Sequence, residues 1–452
     1  MTRVTAILFL TGVALAGQHH GGGAMEKPVS LYPGLGVWKH PIATRNPEAQ
    51  KFFDQGLILL YGFNRPESLR SFQKALELDP QAAMAQWGIS MATGPYLNMD
   101  GDPTLDMKTS CAAAQAGLRI AGAEREWLEA ALSRCPDYAD PAKYIAAMRA
   151  LAARQPDDPD AQTMFAESLL LPVRWHWYTS DGKAAEGVAE AERVLEAVLR
   201  RFPDHPGANH LYIHAVESSP TPERGIPSAQ RLMGIVPWAG HIVHMPGHIW
   251  LATGQYQFAV DVNERAAEVD REFFARAGIS VYYPYYLHNL DFIRHARVMQ
   301  GRAADTDKAL AQIEEAGRAM PEMAGTLAVV AILSRVDIQE WDQLIAAPRP
   351  ENPLVEAFWR YGRAVALLAR ESRARPRPNR ANSKPSARSS TASRTSATTS
   401  SAACWTWRRW RLPRAWNRAS ESGARPSRSR TRWSMTSLRR GIRSANRWAR
   451  RC

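Results

Sequence analysis

Five residues at fixed offsets in residues 49–80, AQKFFDQGLILLYGFNRPESLRSFQKALELDP, constrain the fold more than any other feature. Gly56, Ser68, Phe72, Ala75 and Pro80 stand at positions 8, 20, 24, 27 and 32 of that window. Apolar residues recur at helical spacing on both sides of Gly62, so the window reads as two antiparallel helices. The offsets have steric reasons. Gly56 and Ser68 let the helices approach closely, Phe72 fills the gap between them, and Pro80 ends the second helix.

This is the frame of the tetratricopeptide (TPR) repeat, a unit of about 34 residues that buries its apolar faces by stacking on its neighbours. Trp87-Gly88 opens a second unit, which Gly94-Pro95 and the Asp100-Gly101-Asp102-Pro103 loop interrupt. The frame returns from Gly240, with Gly247 at position 8, Ala259 at 20 and Ala266 at 27. Further helices are expected over 105–135, 140–154, 159–171, 184–202, about 285–299, 323–345 and 352–371. Period-2 alternation is almost absent. The expected fold is all-α, a TPR-like α-α superhelix (a right-handed solenoid of antiparallel helix pairs) over residues 47–372, preceded by an extended arm at 17–46.

The ends of the chain read differently. Arg3, the apolar run Val4 to Ala16, and Ala14-Leu15-Ala16 before Gly17 form the pattern of an export signal over residues 1–16. Its apolar run is shorter than the roughly 20 residues that span a bilayer. The alternative is a short N-terminal anchor. Cleavage would leave a periplasmic or secreted protein with no integral membrane segment.

From Arg373 onward the helical pattern stops, in the middle of what looks like one more repeat. Residues 373–452 hold 22 Lys and Arg, six Trp and a single acid, Glu421. That leaves 35 basic against 43 acidic residues before them, so the overall charge of +13 resides in the tail. A mildly acidic body gives no reason to expect a nucleic-acid partner. The tail reads as the product of a reading-frame shift in a GC-rich gene, against an Arg-rich, Trp-interleaved arm for single-stranded nucleic acid. Either origin predicts disorder there.

Cys111 and Cys135 flank an expected helical hairpin with its turn near Gly122, at similar distances from that turn. In an oxidising compartment they can form a disulfide across the hairpin; two buried free thiols fit the same spacing.

The residues with chemistry to offer are histidines. Five of the twelve lie between 210 and 248. His210, His214 and Glu217 stand at i, i+4 and i+7 and share one helix face. His241, His244 and His248 follow. Pro246 leaves two possibilities open: a continuous helix with His244 and His248 at i, i+4, or a helix starting at Pro246 with His241 and His244 on the entering loop. His288 lies beside Asn289 after an aromatic stretch, and His295 two turns further on. Neutral imidazoles suit zinc, copper, iron or nickel, and stacked repeats place successive helices side by side. His210, His214, Glu217, His241, His244, His248 and His288 are therefore the candidates for a transition-metal centre (zinc, copper or iron), against ordinary hydrogen-bonded core histidines. His19-His20 and His40 read as part of a flexible, solvated arm. His-Glu-x-x-His, Gly-x-Ser-x-Gly, Cys-x-x-Cys and phosphate-cradling loops do not occur before the tail.

The chain resembles a group of exported bacterial TPR-repeat proteins. The matching segments are Phe52-Phe53-Asp54-Gln55-Gly56-Leu57 with Leu60-Tyr61-Gly62-Phe63-Asn64, Trp87-Gly88-Ile89, the run from His205 to Glu217, Ala239 to Ile249, and His288-Asn289. The resemblance covers about residues 30–370 and implies an α-α superhelix, with no activity to carry over. This chain departs from the group at Tyr96, where the group usually has Asn, and after 372, where the group has a terminal repeat pair. The function expected is an exported scaffold that binds a protein or peptide on its concave face and holds a His-rich metal centre. The alternatives are a metalloenzyme acting at that centre on a small molecule or peptide, and a TPR adaptor without metal.

Overall fold

The computed structural model describes residues 27–99, 105–277, 283–318 and 321–374. The export signal, His19-His20, the Asp100–Pro103 loop and the tail beyond 374 lie outside the described residues.

Within these residues the fold is all-α and TPR-like. The first helices are α1 (Pro47–Tyr61), α2 (Arg65–Leu78), α3 (Ala83–Thr93), α4 (Met107–Ile120) and α5 (Arg125–Leu132). Next come α6 (Pro141–Arg154), α7 (Pro159–Leu170), α8 (Val188–Arg201), α9 (Pro206–Glu217) and α10 (Ile226–Ile235). Then follow α11 (Gly240–His244), α12 (Pro246–Ala252), α13 (Tyr256–Ala277) and α14 (Tyr283–Met299). The last are α15 (Ala303–Gly317), α16 (Ala324–Asp337), α17 (Trp341–Ala346) and α18 (Pro353–Ala374). Consecutive helices pack on one another through most of the chain. Among the described residues the extended pairing is one isolated bridge, Tyr178 with Ala184. No helix there is long and apolar enough to cross a membrane.

The offsets of the first repeat do what their sizes suggest. Phe72 is fully buried between Gly56 on α1 and Gly88 on α3. A methyl group added at Gly56 would stand 2.7 Å from the Phe72 ring, so glycine is what allows the contact. The Ser68 hydroxyl donates to the Gly56 carbonyl at 2.7 Å, closing the same helix pair. Both helices start at an asparagine cap followed by proline within the first two positions.

Two expectations change, and one open alternative is decided. The helix expected over 323–345 is two, α16 and α17, because the chain turns at Gln339, which has φ +64°. The 105–135 segment is the expected hairpin, α4–α5, and of the two alternatives for its cysteines the structure has the Cys111–Cys135 disulfide rather than free thiols. Residues 27–46 contain no helix, but His40 is not solvated: its ring is largely buried and bonded to Asp160, as described below. Nearby, Tyr32 donates its hydroxyl to Glu67 at 2.7 Å and stacks on Trp238 with ring centroids 4.9 Å apart.

Candidate metal centre

Helix α9 is fixed at its start by His205. The His205 Nδ1 accepts from the Ala208 amide at 3.0 Å, so its proton lies on Nε2, which donates to Asp160 at 3.1 Å. His210 and His214 follow on one face, with ring centroids 4.9 Å apart. The path from α11 to α12 is helical throughout. Met245 between them has φ −51° and ψ −38°, and its amide donates to the His241 carbonyl at 3.1 Å. Pro246 lacks an N–H and so breaks the hydrogen-bond ladder without breaking the path. His244 and His248 therefore stand at i, i+4, and His241 is helical rather than on an entering loop. Helix α14 brings His288 alongside.

All seven candidates meet. His210, His214, His241, His244, His248 and His288 are each less than a tenth exposed, and Glu217 sits at their edge. The imidazoles fall into two sets. His210, His214 and His241 form one, and His244, His248 and His288 the other; within each set, one ligand atom per residue lies within 4.8 Å of the others. Each set has its own phenyl wall. Phe63 lies 4.5 Å from His210, 5.2 Å from His241 and 6.1 Å from His214, centroid to centroid. Phe292 lies 4.5, 4.7 and 4.8 Å from His244, His248 and His288.

The hydrogen bonds choose the tautomers. His210 Nδ1 faces the Tyr61 carbonyl at 2.5 Å, and a carbonyl only accepts, so Nδ1 carries the proton. His214 Nδ1 donates to Glu217 Oε1 at 2.9 Å, and His248 Nδ1 donates to Glu217 Oε2. His244 Nδ1 faces Asn263 Oδ1 at 2.6 Å; the Asn263 amide cannot flip, because its Nδ2 donates to the Ala259 carbonyl at 2.7 Å. In four rings Nδ1 is thus the donor, and in the neutral ring Nε2 keeps its lone pair. This is the arrangement in which metal-binding histidines are held.

The Nε2 atoms then have little else to bond. Among the described residues, His210 Nε2, His214 Nε2 and both ring nitrogens of His241 are buried without a hydrogen-bond partner. Leaving such a group unsatisfied costs about 1–3 kcal/mol each. In the second set, His244 Nε2 and His248 Nε2 face each other at 2.8 Å. Two lone pairs at that distance repel unless a proton or a metal ion lies between them. Burial, followed by the neighbouring imidazoles, pushes His210, His241 and His244 well below the usual histidine range. Burial and His248 push His288 down to about 3. Burial alone would raise Glu217, but His248 and His214 more than offset it and hold its carboxylate ionised. His210, His214, His241, His244 and His288 are thus held toward the neutral, nitrogen-donating form, with one anion at the edge of the cluster.

A third group, His40 with Asp158 and Asp160, is differently made. Asp160 accepts from Trp38 Nε1 at 3.2 Å, Tyr61 hydroxyl at 2.6 Å, His205 Nε2 at 3.1 Å and His40 Nδ1 at 3.0 Å. With four donors on one carboxylate it is a saturated structural hub, which ties the N-terminal segment to α1, α7 and α9. Neither His40 nor His295 joins the six-histidine cluster.

Sequence reasoning misses Asn263, Tyr61, Phe63 and Phe292. Asn263 carried a signal: it lies between Ala259 and Ala266 on the face that the repeat frame reserves for packing, where a polar residue needs a partner. The Tyr61 carbonyl carried none, since every residue has one.

No family model and none of the curated proteins matches this chain. Among solved structures it is similar to the P58(IPK) TPR domain, whose crystal structure was determined at 2.5 Å. The two are 11% identical, and the match covers 73% of this chain and 100% of that one with a TM-score of 0.20. A likeness at that score adds nothing on the site; the fold stands on the helix pairs and on the packing of Gly56, Phe72 and Gly88.

Proposed function

We propose that this protein is a transition-metal protein built on a TPR-like scaffold, with its metal held by the imidazoles of His210, His214, His241, His244, His248 and His288. The observation that carries the reading is the set of tautomers. Backbone carbonyl, carboxylate and amide oxygens claim the Nδ1 protons; the Nε2 atoms of His210 and His214 are left buried without a partner, and those of His244 and His248 face each other. A purely structural histidine core would bond its second nitrogens to protein groups. Glu217 acts in this reading as a holder of His214 and His248 rather than as a ligand. Nitrogen donors favour zinc, copper or iron, while calcium and magnesium want oxygen. Three protein ligands per set leave a coordination position for water or a small molecule, as in catalytic rather than structural zinc sites.

The scaffold supports a second role. TPR-like arrays commonly present surfaces to proteins or peptides, and a partner of that kind is part of the proposal. Export is part of it too: the Cys111–Cys135 disulfide suits an oxidising compartment.

The test is elemental analysis of the purified full chain, beside a His244→Ala/His248→Ala variant and a His210→Ala/His214→Ala variant of verified helicity. Near-stoichiometric zinc, copper or iron in the parent and less in each variant is expected. A folded parent that takes up none of the three ions when they are offered would overturn the metal reading and leave a TPR-like binding scaffold.

A further inference from the structure

The six imidazoles are not one shell. Each set of three has its own donor cluster and its own phenyl wall, and each contains one ring held by Glu217. The sets touch at two places. His241 stacks on His244 with centroids 5.5 Å apart and planes 22° apart, and His214 meets His248 edge-on at 5.5 Å. Glu217 spans the seam, with Oε1 on His214 of the first set and Oε2 on His248 of the second. One carboxylate thus orients a ring in each set.

A single ion held by either set would leave the other set's buried nitrogens idle, whereas one ion in each set employs all six imidazoles. Two divalent ions side by side repel in a low-dielectric interior. The ionised Glu217 at the seam offsets part of that repulsion, and a small anion placed between the ions would offset more.

We infer that the centre is dinuclear, with one ion in the His210–His214–His241 set, a second in the His244–His248–His288 set, and a shared position between them for a small anion such as hydroxide. The inference rests on the metal reading above. Two paramagnetic ions at the roughly 3.5–4 Å spacing of other two-metal sites would couple magnetically.

The experiment uses the full chain, stripped with chelator and titrated with copper(II), followed by copper analysis and electron paramagnetic resonance. Two coppers per chain are expected, with an integrated signal well below two spins, and azide should alter the spectrum. His210→Ala and His288→Ala, each checked by circular dichroism, should bind one copper each and show the full signal of one isolated spin. No copper in the parent overturns the metal reading itself. One copper per chain in the parent leaves that reading standing and overturns the dinuclear one. So do two coppers whose signal integrates to two unperturbed spins. The parent's stoichiometry and spin count decide the matter even where a variant fails to fold.

Discussion

Asn263 Oδ1 stands 2.6 Å from His244 Nδ1, and Gly247 is the reason it can. A methyl group at Gly247 would lie 2.5 Å from Asn263 Nδ2, so the glycine at position 8 of this repeat serves the histidine as well as the helix contact. Asn263→Leu should strip the acceptor, leave a buried imidazole N–H unpaired, and cost about 1–3 kcal/mol of stability. Metal affinity should fall about 10–100-fold. Asn263→Asp keeps an acceptor oxygen and should retain most of the affinity. A competition titration against a chromophoric chelator measures both. Equal affinity in all three proteins would remove Asn263 from the role of orienting His244.

The disulfide predicts a redox-dependent stability. Cys111 and Cys135 are 24 residues apart, a closure that restricts the unfolded chain by about 2–4 kcal/mol in the loop-entropy picture. Reduction, or Cys111→Ser with Cys135→Ser, should lower the denaturation midpoint accordingly. The helical signal of the native state should be unchanged, since α4 and α5 also pack through Gly117 against Leu128. A thiol titration of the unreduced, unfolded full chain should find at most the two thiols of Cys404 and Cys452, and four after reduction.

Much of this was legible before any coordinates. Gly56, Ser68, Phe72 and Ala75 announce their helix pair because side-chain size at a helix crossing is a local property. The i, i+4 spacing of His210 and His214 puts them on one face for the same kind of reason, and stacked repeats bring His244, His248 and His288 near. The division into two sets was not legible, since it depends on how α9, α11–α12 and α14 cross. The partner of His40 was not legible either: Asp160 lies 120 residues away, and an unpatterned segment looks solvated until its contacts are known. The break at Gln339 turns on one backbone angle that no side chain advertises.

Glu167, which is not one of the candidate ligands, predicts a pH dependence of its own. Burial raises its carboxyl from 4.5 to about 7, an effect that Arg65 and Arg134 only partly offset. Between those two values the folded state binds the proton more tightly than the unfolded chain. Stability from this group is therefore greatest below pH 4.5, falls as pH rises toward 7, and then levels off. Glu167→Gln removes the titration, so the melting temperature of the variant should decline less than the parent's over that window. A parallel decline in both proteins would show that other groups account for it.

Glu217→Gln separates a holder from a ligand. The carboxylate accepts from His214 Nδ1 and His248 Nδ1 with different oxygens, and glutamine can accept with only one end. Its NH2 must then face one imidazole Nδ1, so that ring has to turn or move its proton to Nε2, and either way its Nε2 lone pair is lost to the cluster. The substitution also removes the negative charge that offsets the ions. Metal affinity at both sets should drop, by about 10–100-fold if Glu217 acts through its two histidines. Glu217→Asp, which keeps both oxygens but is one methylene shorter, should weaken binding less. A residue that merely stabilised the end of α9 would lower the melting temperature in both variants and leave the metal titration where it was. Metal affinity and melting temperature measured on the same samples therefore distinguish the two roles.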